Sequence, residues 1–294
     1  MERIYRVARR FTKVAYRIKG IGLGRLCEMI RTSVARSSRG KVILIEDFMG
    51  SLKFYCELSE HMGSQIFWRG TYSGGQLKVL ERYLRPGATF LDVGANQGEF
   101  TVFGASLVGE HGRVIAFEPV SFIRDKLLRN IAANALSNVV VLPFALGAEQ
   151  GDLPMYGAVS PFADGTEHIG LPTLFQVGRR SQLIERVPVR RLDDVVDELQ
   201  LREIDLIKLD IEGGEFAALR GAERLLHRYA PKLIFEMSPD TCRTAGYEPQ
   251  ELLAWLKQRN YRISFITDDG DLRSVEERHL QTWGNYFACV QDCE

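Results

Sequence analysis

Phe90-Leu91-Asp92-Val93-Gly94-Ala95-Asn96-Gln97-Gly98-Glu99-Phe100 decides how this chain is read. An apolar run enters from Ala88 and ends in an acid. Two glycines follow with three residues between them, and an apolar helical pattern then begins. That order predicts a buried strand, a tight turn and a helix N-terminus. Glycine at the strand end permits a sharp turn and lets a ligand approach the backbone. Free N–H groups at the helix start attract an anionic or polar ligand group. Asp92, at the carboxyl end of the strand, is expected to face the crevice where open α/β sheets bind ligands.

The glycine spacing separates nucleotide cofactors. A dinucleotide fingerprint requires glycines at the first, third and sixth places. Counted from Gly94, those places hold Gly94, Asn96 and Glu99. A phosphate-binding loop ends in Gly-Lys-Ser/Thr, and here Gly98 is followed by Glu99. Acid-x-Gly-x-x-x-Gly after a strand instead resembles motif I of the class I S-adenosylmethionine (SAM) methyltransferases. Taken alone, the motif also suits an ordinary βα turn with helpful glycines.

Working outward, strands and helices alternate, which predicts a mostly parallel sheet. Strands are expected at residues 89–93, 113–117, 139–144, 204–209 and 232–235, with a closing pair at 261–267 and 285–290. Helices are expected at 100–108, 122–134, 192–199, 216–229 and 249–260. Residues 188–190 read as a short extra strand. Residues 151–187 are rich in Gly, Pro and polar side chains without clear periodicity, so they read as a long loop, functional or disordered. Upstream, strands at 41–46 and 52–58 and a helix at 76–84 suggest a small β/α appendage at residues 40–87 before a main domain at 88–294.

The charge distribution is uneven. Residues 1–39 hold eleven basic side chains against Glu2 and Glu28, a block of +9, so the electrically neutral 294-residue chain carries −9 over residues 40–294. An acidic main domain argues against a nucleic-acid substrate. Ile4, Val7, Phe11, Val14 and Ile18 recur at helical spacing, with Arg3, Arg6, Arg10, Lys13 and Arg17 one place earlier. This basic amphipathic helix suits packing on the acidic remainder, a homo-oligomer contact, or peripheral contact with the inner face of an anionic membrane. Five scattered cysteines without a Cys-x-x-Cys pair read as reduced thiols of a cytoplasmic protein. No stretch approaches the roughly eighteen apolar residues of a membrane span.

The predicted strands end in Asp92, Glu118, Asp210 and Glu236, and carboxyl ends of parallel strands share one edge of the sheet. Carboxylates gathered on one rim repel unless something cationic or hydroxyl-rich joins them. SAM supplies a sulfonium, an ammonium and a ribose diol. Glu118 stands where a second-strand acid would bridge the ribose, and Phe117 and Pro119 would form an apolar slot for adenine. Lys208 and Asp210 share one face of a strand, so they are expected to pair. Glu212 and Glu215 fall at a helix start, where an acid also interacts favourably with the helix dipole.

The resemblance then becomes specific. Phe90 to Thr101, the stretch Val114-Ile115-Ala116-Phe117-Glu118-Pro119, the stretch Val189-Arg190-Arg191-Leu192-Asp193-Asp194 and above all Ile204-Asp205-Leu206-Ile207-Lys208-Leu209-Asp210-Ile211-Glu212-Gly213-Gly214-Glu215 resemble an FkbM-family methyltransferase domain. The last stretch continues through Leu219-Arg220-Gly221-Ala222 to Pro231-Lys232-Leu233-Ile234-Phe235-Glu236. The likeness covers about residues 70–240. It implies a class I, Rossmann-like, seven-stranded mostly parallel sheet that uses SAM and releases S-adenosylhomocysteine (SAH). It also implies O-methylation of a small hydroxyl acceptor such as a sugar. The implied cofactor contacts are Tyr72, Asp92, Gly94, Ala95, Asn96, Gly98, Glu118, Pro119, Ala145 and Asp210. The family commonly has an acid after the tyrosine, and Ser73 stands there instead. Glu212, Asp210 and His168, in that order, are the candidates for a general base, and no metal is expected. The alternatives are a SAM-binding module without turnover and, further off, a nucleotide-dependent oxidoreductase.

Overall fold

The structure is a computed structural model and describes Arg9, Met29 and residues 40–157, 172–175 and 182–290. A hairpin, β1 (Val42–Phe48) and β2 (Leu52–Glu57), leads into helices α1 (His61–Arg69) and α2 (Gly74–Tyr83). Then come β3 (Thr89–Val93), α3 (Glu99–Val108), β4 (Arg113–Phe117), α4 (Ser121–Ala133), β5 (Val139–Leu142), β6 (Ala145–Leu146), β7 (Gly151–Gly157) and β8 (Gln182–Arg190). After α5 (Leu192–Glu198) follow β9 (Leu206–Leu209), α6 (Glu215–Arg220), α7 (Glu223–Tyr229), β10 (Lys232–Met237), α8 (Pro239–Thr244) and α9 (Pro249–Lys257). The chain closes with β11 (Tyr261–Ile266), β12 (Leu272–Ser274) and β13 (Gly284–Val290).

The central sheet has the order β12-β11-β13-β10-β9-β3-β4-β5. Pairing is parallel from β5 through β10. Strand β13 runs antiparallel between β10 and β11. The chain winds outward from β3 to β5 and then returns to β3's other side, so β3 and β9 flank the point where winding reverses. Ligand crevices open at such a point. Eight strands are present where seven were expected, because β12 adds a short antiparallel edge to β11.

Side-chain alternation builds two core faces from each strand. Leu91, Ile115, Ile207 and Leu233 pack under α5, α7 and α9 with Leu192, Leu225 and Leu252. Their neighbours Phe90, Val114, Leu206 and Ile234 face the other way. They join Ile43 and Phe54 of the hairpin, Trp68 of α1 and Leu80 of α2 in one cluster. The segment read as an appendage therefore supplies the cover for one face of the sheet. Asn130 links it to the body: Tyr55 N donates to Asn130 Oδ1 (2.8 Å), and Asn130 Nδ2 in turn donates to the Gln97 carbonyl (2.8 Å).

Three expectations fail for physical reasons. A loop is expected over 151–187, yet the ends of that span form an antiparallel hairpin, β7 with β8, joined to β6. Turn-forming Gly151, Pro154 and Gly157 mask the strand in sequence, while Met155 and Val187 supply the buried side that packs on Val120 and Ile123. The single helix expected at 216–229 is two. Gly221 lies where an added Cβ would come within 2.1 Å of the Gly147 carbonyl, so the chain bends around that contact. Strand β10 runs on to Met237, so Glu236 lies inside a strand and pairs in register with Asn285. Among the described residues no helix is long and apolar enough to cross a membrane. Arg9 is buried, forms an ion pair with Asp47 (2.6 Å) and donates from Nε to the Phe67 carbonyl (2.5 Å). The residues of the amphipathic stripe themselves lie outside the described residues.

Candidate active site

The carboxyl ends of β3, β4, β9 and β10 open into a cavity of about 530 Å³. Its first wall is the turn after β3. Gly94 and Asn96 hold positive φ of 78° and 49°, and the Gly94 and Ala95 N–H groups both donate to the Phe117 carbonyl. A Cβ on Gly94 would stand 2.0 Å from the Asp210 carbonyl. The glycine is thus required by the approach of the β9 end as well as by the turn. Asn96 N donates to Glu118 Oε2 (2.9 Å) and Val120 N to Oε1 (3.0 Å), which fixes the Glu118 carboxylate at the rim. Burial pushes the Glu118 carboxyl up to about 7 against those two hydrogen bonds. Beside it, Phe117, Pro119, Val120, Phe144, Ala145 and Leu146 form an apolar slot.

Two further acids shape this side. Glu60 caps α1 by accepting from Met62 N (3.2 Å) and Gly63 N (2.7 Å), and also accepts from the Gln97 amide (2.8 Å). Glu99 accepts from Tyr72 N (2.6 Å) and Ser73 N (3.0 Å), and so clamps that segment over the opening. Burial raises Glu99 to about 7. Both line the cavity. Sequence reading gave neither a role. Glu60 lies outside any motif, and the partners of Glu99 are backbone N–H groups twenty-six and twenty-seven residues away, which no side-chain pattern announces.

The opposite wall is the loop after β9. Lys208 is buried, lies 3.5 Å from Asp92 and 3.6 Å from Asp210, and donates to the Gly94 carbonyl (2.8 Å). Burial alone would lower its pKa, but Asp210, Asp92 and Glu236 hold it raised. Asp92 is fully buried and accepts from Thr101 Oγ1 (2.5 Å). It lies beneath the cavity and does not reach its wall, and neither does Gly98, whose missing Cβ would meet Leu127. Neither Asp92 nor Gly98 is among the residues that line the cavity; both stand behind it. Glu215 also serves the fold, accepting from Ile211 N (2.8 Å) and Gly213 N (3.0 Å).

Asp210, Glu212 and Glu236 come together, each offering an oxygen within 4.8 Å of the others. Burial, Asp210 and Glu215 raise Glu212 to about 8. Glu236 is raised well above the usual carboxylate range by burial, Asp210 and Glu212. Tyr72, Trp283 and Phe265 supply aromatic surface around this trio. The Tyr72 hydroxyl is raised by burial and by Asp210, Glu236 and Glu212. The structure therefore gathers Tyr72, Gly94, Ala95, Asn96, Glu118, Pro119, Ala145, Asp210 and Glu212 around one cavity. His168 lies outside the described residues.

The arrangement combines an apolar slot, a fixed carboxylate at its edge and a carboxylate-rich opposite end. That donor set fits an adenosine with a cationic tail. The family described as the methyltransferase FkbM domain matches residues 92–263. AMB antimetabolite synthetase AmbE of Pseudomonas aeruginosa is 25% identical over 240 residues, covering 71% of this chain and 11% of that protein. Methyltransferase sdnD of Sordaria araneosa is 28% identical over 199 residues, covering 59% of this chain and 73% of its own length. A solved FkbM methyltransferase from Methylobacillus flagellatus is 17% identical with a TM-score of 0.43, covering 88% of this chain and 58% of that one.

Proposed function

The chain belongs to the FkbM methyltransferase family, and on that premise we propose that it methylates an oxygen of a small hydroxyl-bearing molecule, such as a sugar, with SAM as donor. The observation that carries this reading is the pairing of a braced Glu118 beside an apolar slot with the Asp210–Glu212–Glu236 trio across the same cavity. When bound, SAM supplies a sulfonium-linked methyl group to a nucleophile. Glu118 would hold the ribose hydroxyls, Phe117, Pro119 and Ala145 the adenine, and the Gly94–Asn96 turn with Asp210 the amino-acid end. Tyr72 closes over that end. Glu212 would take the proton of the acceptor hydroxyl as that oxygen accepts the methyl group, with SAH as the by-product. Its raised pKa suits a base that works near neutrality. Positioning supplies much of the remaining acceleration, because the step needs little else from the protein.

Calorimetry with SAM, SAH and NAD tests the donor: the first two bind and NAD does not. NAD binding without SAH binding would return the oxidoreductase alternative. Labelled SAM, purified protein and a deproteinised extract, followed by mass spectrometry, would identify the methylated acceptor and separate oxygen from nitrogen or carbon. Failure to label any acceptor while SAH binds would favour the binding module. We propose a metal-free step, so treatment with a chelator leaves turnover unchanged. The acidic main domain supports a small molecule over nucleic acid.

The boundary at residue 39 is proposed to end a separable helical segment packed on the body. The Arg9–Asp47 ion pair, with a buried guanidinium, supports this. Deleting residues 1–39 would then lower the melting temperature. Loss of binding to anionic vesicles with an unchanged melting temperature would support the membrane alternative instead. A cytoplasmic location is proposed on the cysteine pattern alone.

A further inference from the structure

Residues 172–175 belong to the insertion between β7 and β8 and touch both ends of the cavity. Thr173 and Tyr156 exchange two backbone hydrogen bonds of 2.8 Å each, an antiparallel bridge. Side chains alternate along extended backbone. Pro172 and Leu174 line the cavity, whereas Thr173 does not. Leu174 packs with the cluster of Val120, Ile123 and Met155 at the apolar slot. Thr173 is buried, and its hydroxyl donates to the Glu212 carbonyl at 2.9 Å while accepting from Phe175 N at 3.2 Å. Glu212 carries a φ of 53°, the left-handed conformation that a residue with a Cβ keeps only when its surroundings hold it. Glu215 ties down the amides on either side, at Ile211 and Gly213. The Thr173 hydroxyl adds the contact to Glu212 itself.

We infer that Thr173 is a positioning residue for Glu212: its hydroxyl holds the Glu212 backbone in the turn that presents the carboxylate to the cavity, and residues 172–175 link that turn to the apolar slot. The inference rests on the reading of Glu212 as the base on the acceptor side. It makes the insertion part of the reacting site, with the slot and the base joined through one hydroxyl. Pro172 and Leu174 then form a wall that an acceptor or the adenine edge must pass.

The test compares Thr173→Val, which keeps the shape and removes the hydroxyl, with Thr173→Ser, which keeps the hydroxyl. Both are made in the full chain. Valine should lower kcat about tenfold, as small misplacements of a reacting group do, with the KM for the extract acceptor and the SAH affinity near wild type. Serine should restore kcat. Amide exchange of the peptide containing Asp210 to Glu215 should quicken about fivefold in the valine variant, the loss of one hydrogen bond. This readout needs no acceptor and decides the matter for an extract that supplies none. Unchanged exchange in the valine variant overturns the inference, as does a serine variant as impaired as the valine one. A parallel fall in SAH affinity would do the same by showing a general collapse of the site. Absence of SAH binding in the wild type is a different result: it overturns the cofactor reading, and the role given to Thr173 falls with it.

Discussion

The two walls of the cavity use the same side chain in opposite ways. On the β3–β4 side, Glu60, Glu99 and Glu118 each accept at least two hydrogen bonds from N–H groups, mostly of the backbone. On the β9–β10 side, Asp210, Glu212 and Glu236 face one another, and the nearby cation Lys208 is shared between Asp92 and Asp210. A carboxylate ringed by amide donors is a fixed, directed acceptor. Glu212 and Glu236, raised by neighbouring carboxylates as well as by burial, respond to any charge that enters. On the function proposed above, the first wall recognises and the second responds.

Removing the responsive acid should have the largest effect. Glu212→Gln is expected to lower kcat about 10²–10⁴-fold, the usual contribution of a general base, with SAH affinity little altered. Equal turnover in the two proteins would reduce Glu212 to a loop acid. Next comes the recognising wall. Glu118→Ala should weaken SAH by about 1.5–3 kcal/mol, the range for hydrogen bonds to a charged group. An unchanged dissociation constant by calorimetry would mean that the ribose lies elsewhere.

A smaller effect distinguishes SAM from SAH. Glu212 titrates near 8, so its charge develops as pH rises through that value. A sulfonium favours the charged form, whereas neutral SAH does not. The ratio of SAM to SAH affinity should therefore grow about tenfold between pH 6 and 9, equivalent to one unit of pKa coupling. A flat ratio would separate the trio from the sulfonium.

The smallest effect is on stability. Glu99, Glu118 and Glu215 are raised to about 7 and Glu212 to about 8, from an ordinary value of 4.5. Between those limits the folded protein holds more protons than the unfolded chain, so the stability contributed by these groups falls as pH rises. The ligand-free protein should melt several degrees lower at pH 8 than at pH 5. A melting temperature that rises over this interval would show that the buried acids are already ionised when folded.

The sequence by itself determined the sheet and much of the rim. Strand β4 lies at the expected residues because an apolar run buried on both faces needs no partner information to be recognised, and the glycine spacing marked the turn after β3. It also placed Glu118 and Asp210 at strand ends and Glu212 at the helix start that follows, since chain order and strand direction alone put them on one edge. Tertiary structure decided what each acid does. Asp92, expected to face the crevice, is fully buried and lies 3.5 Å from Lys208, its register partner in β9. Glu99, an unremarked member of the opening motif, became a clamp through two distant backbone amides. Thr173, inside a span expected to be a loop, reaches Glu212 from a backbone bridge to Tyr156 of β7. Local pattern fixes where a side chain leaves the backbone. Whether it meets an amide, an ammonium or another carboxylate depends on segments far away in sequence, and that encounter sets its charge and its role.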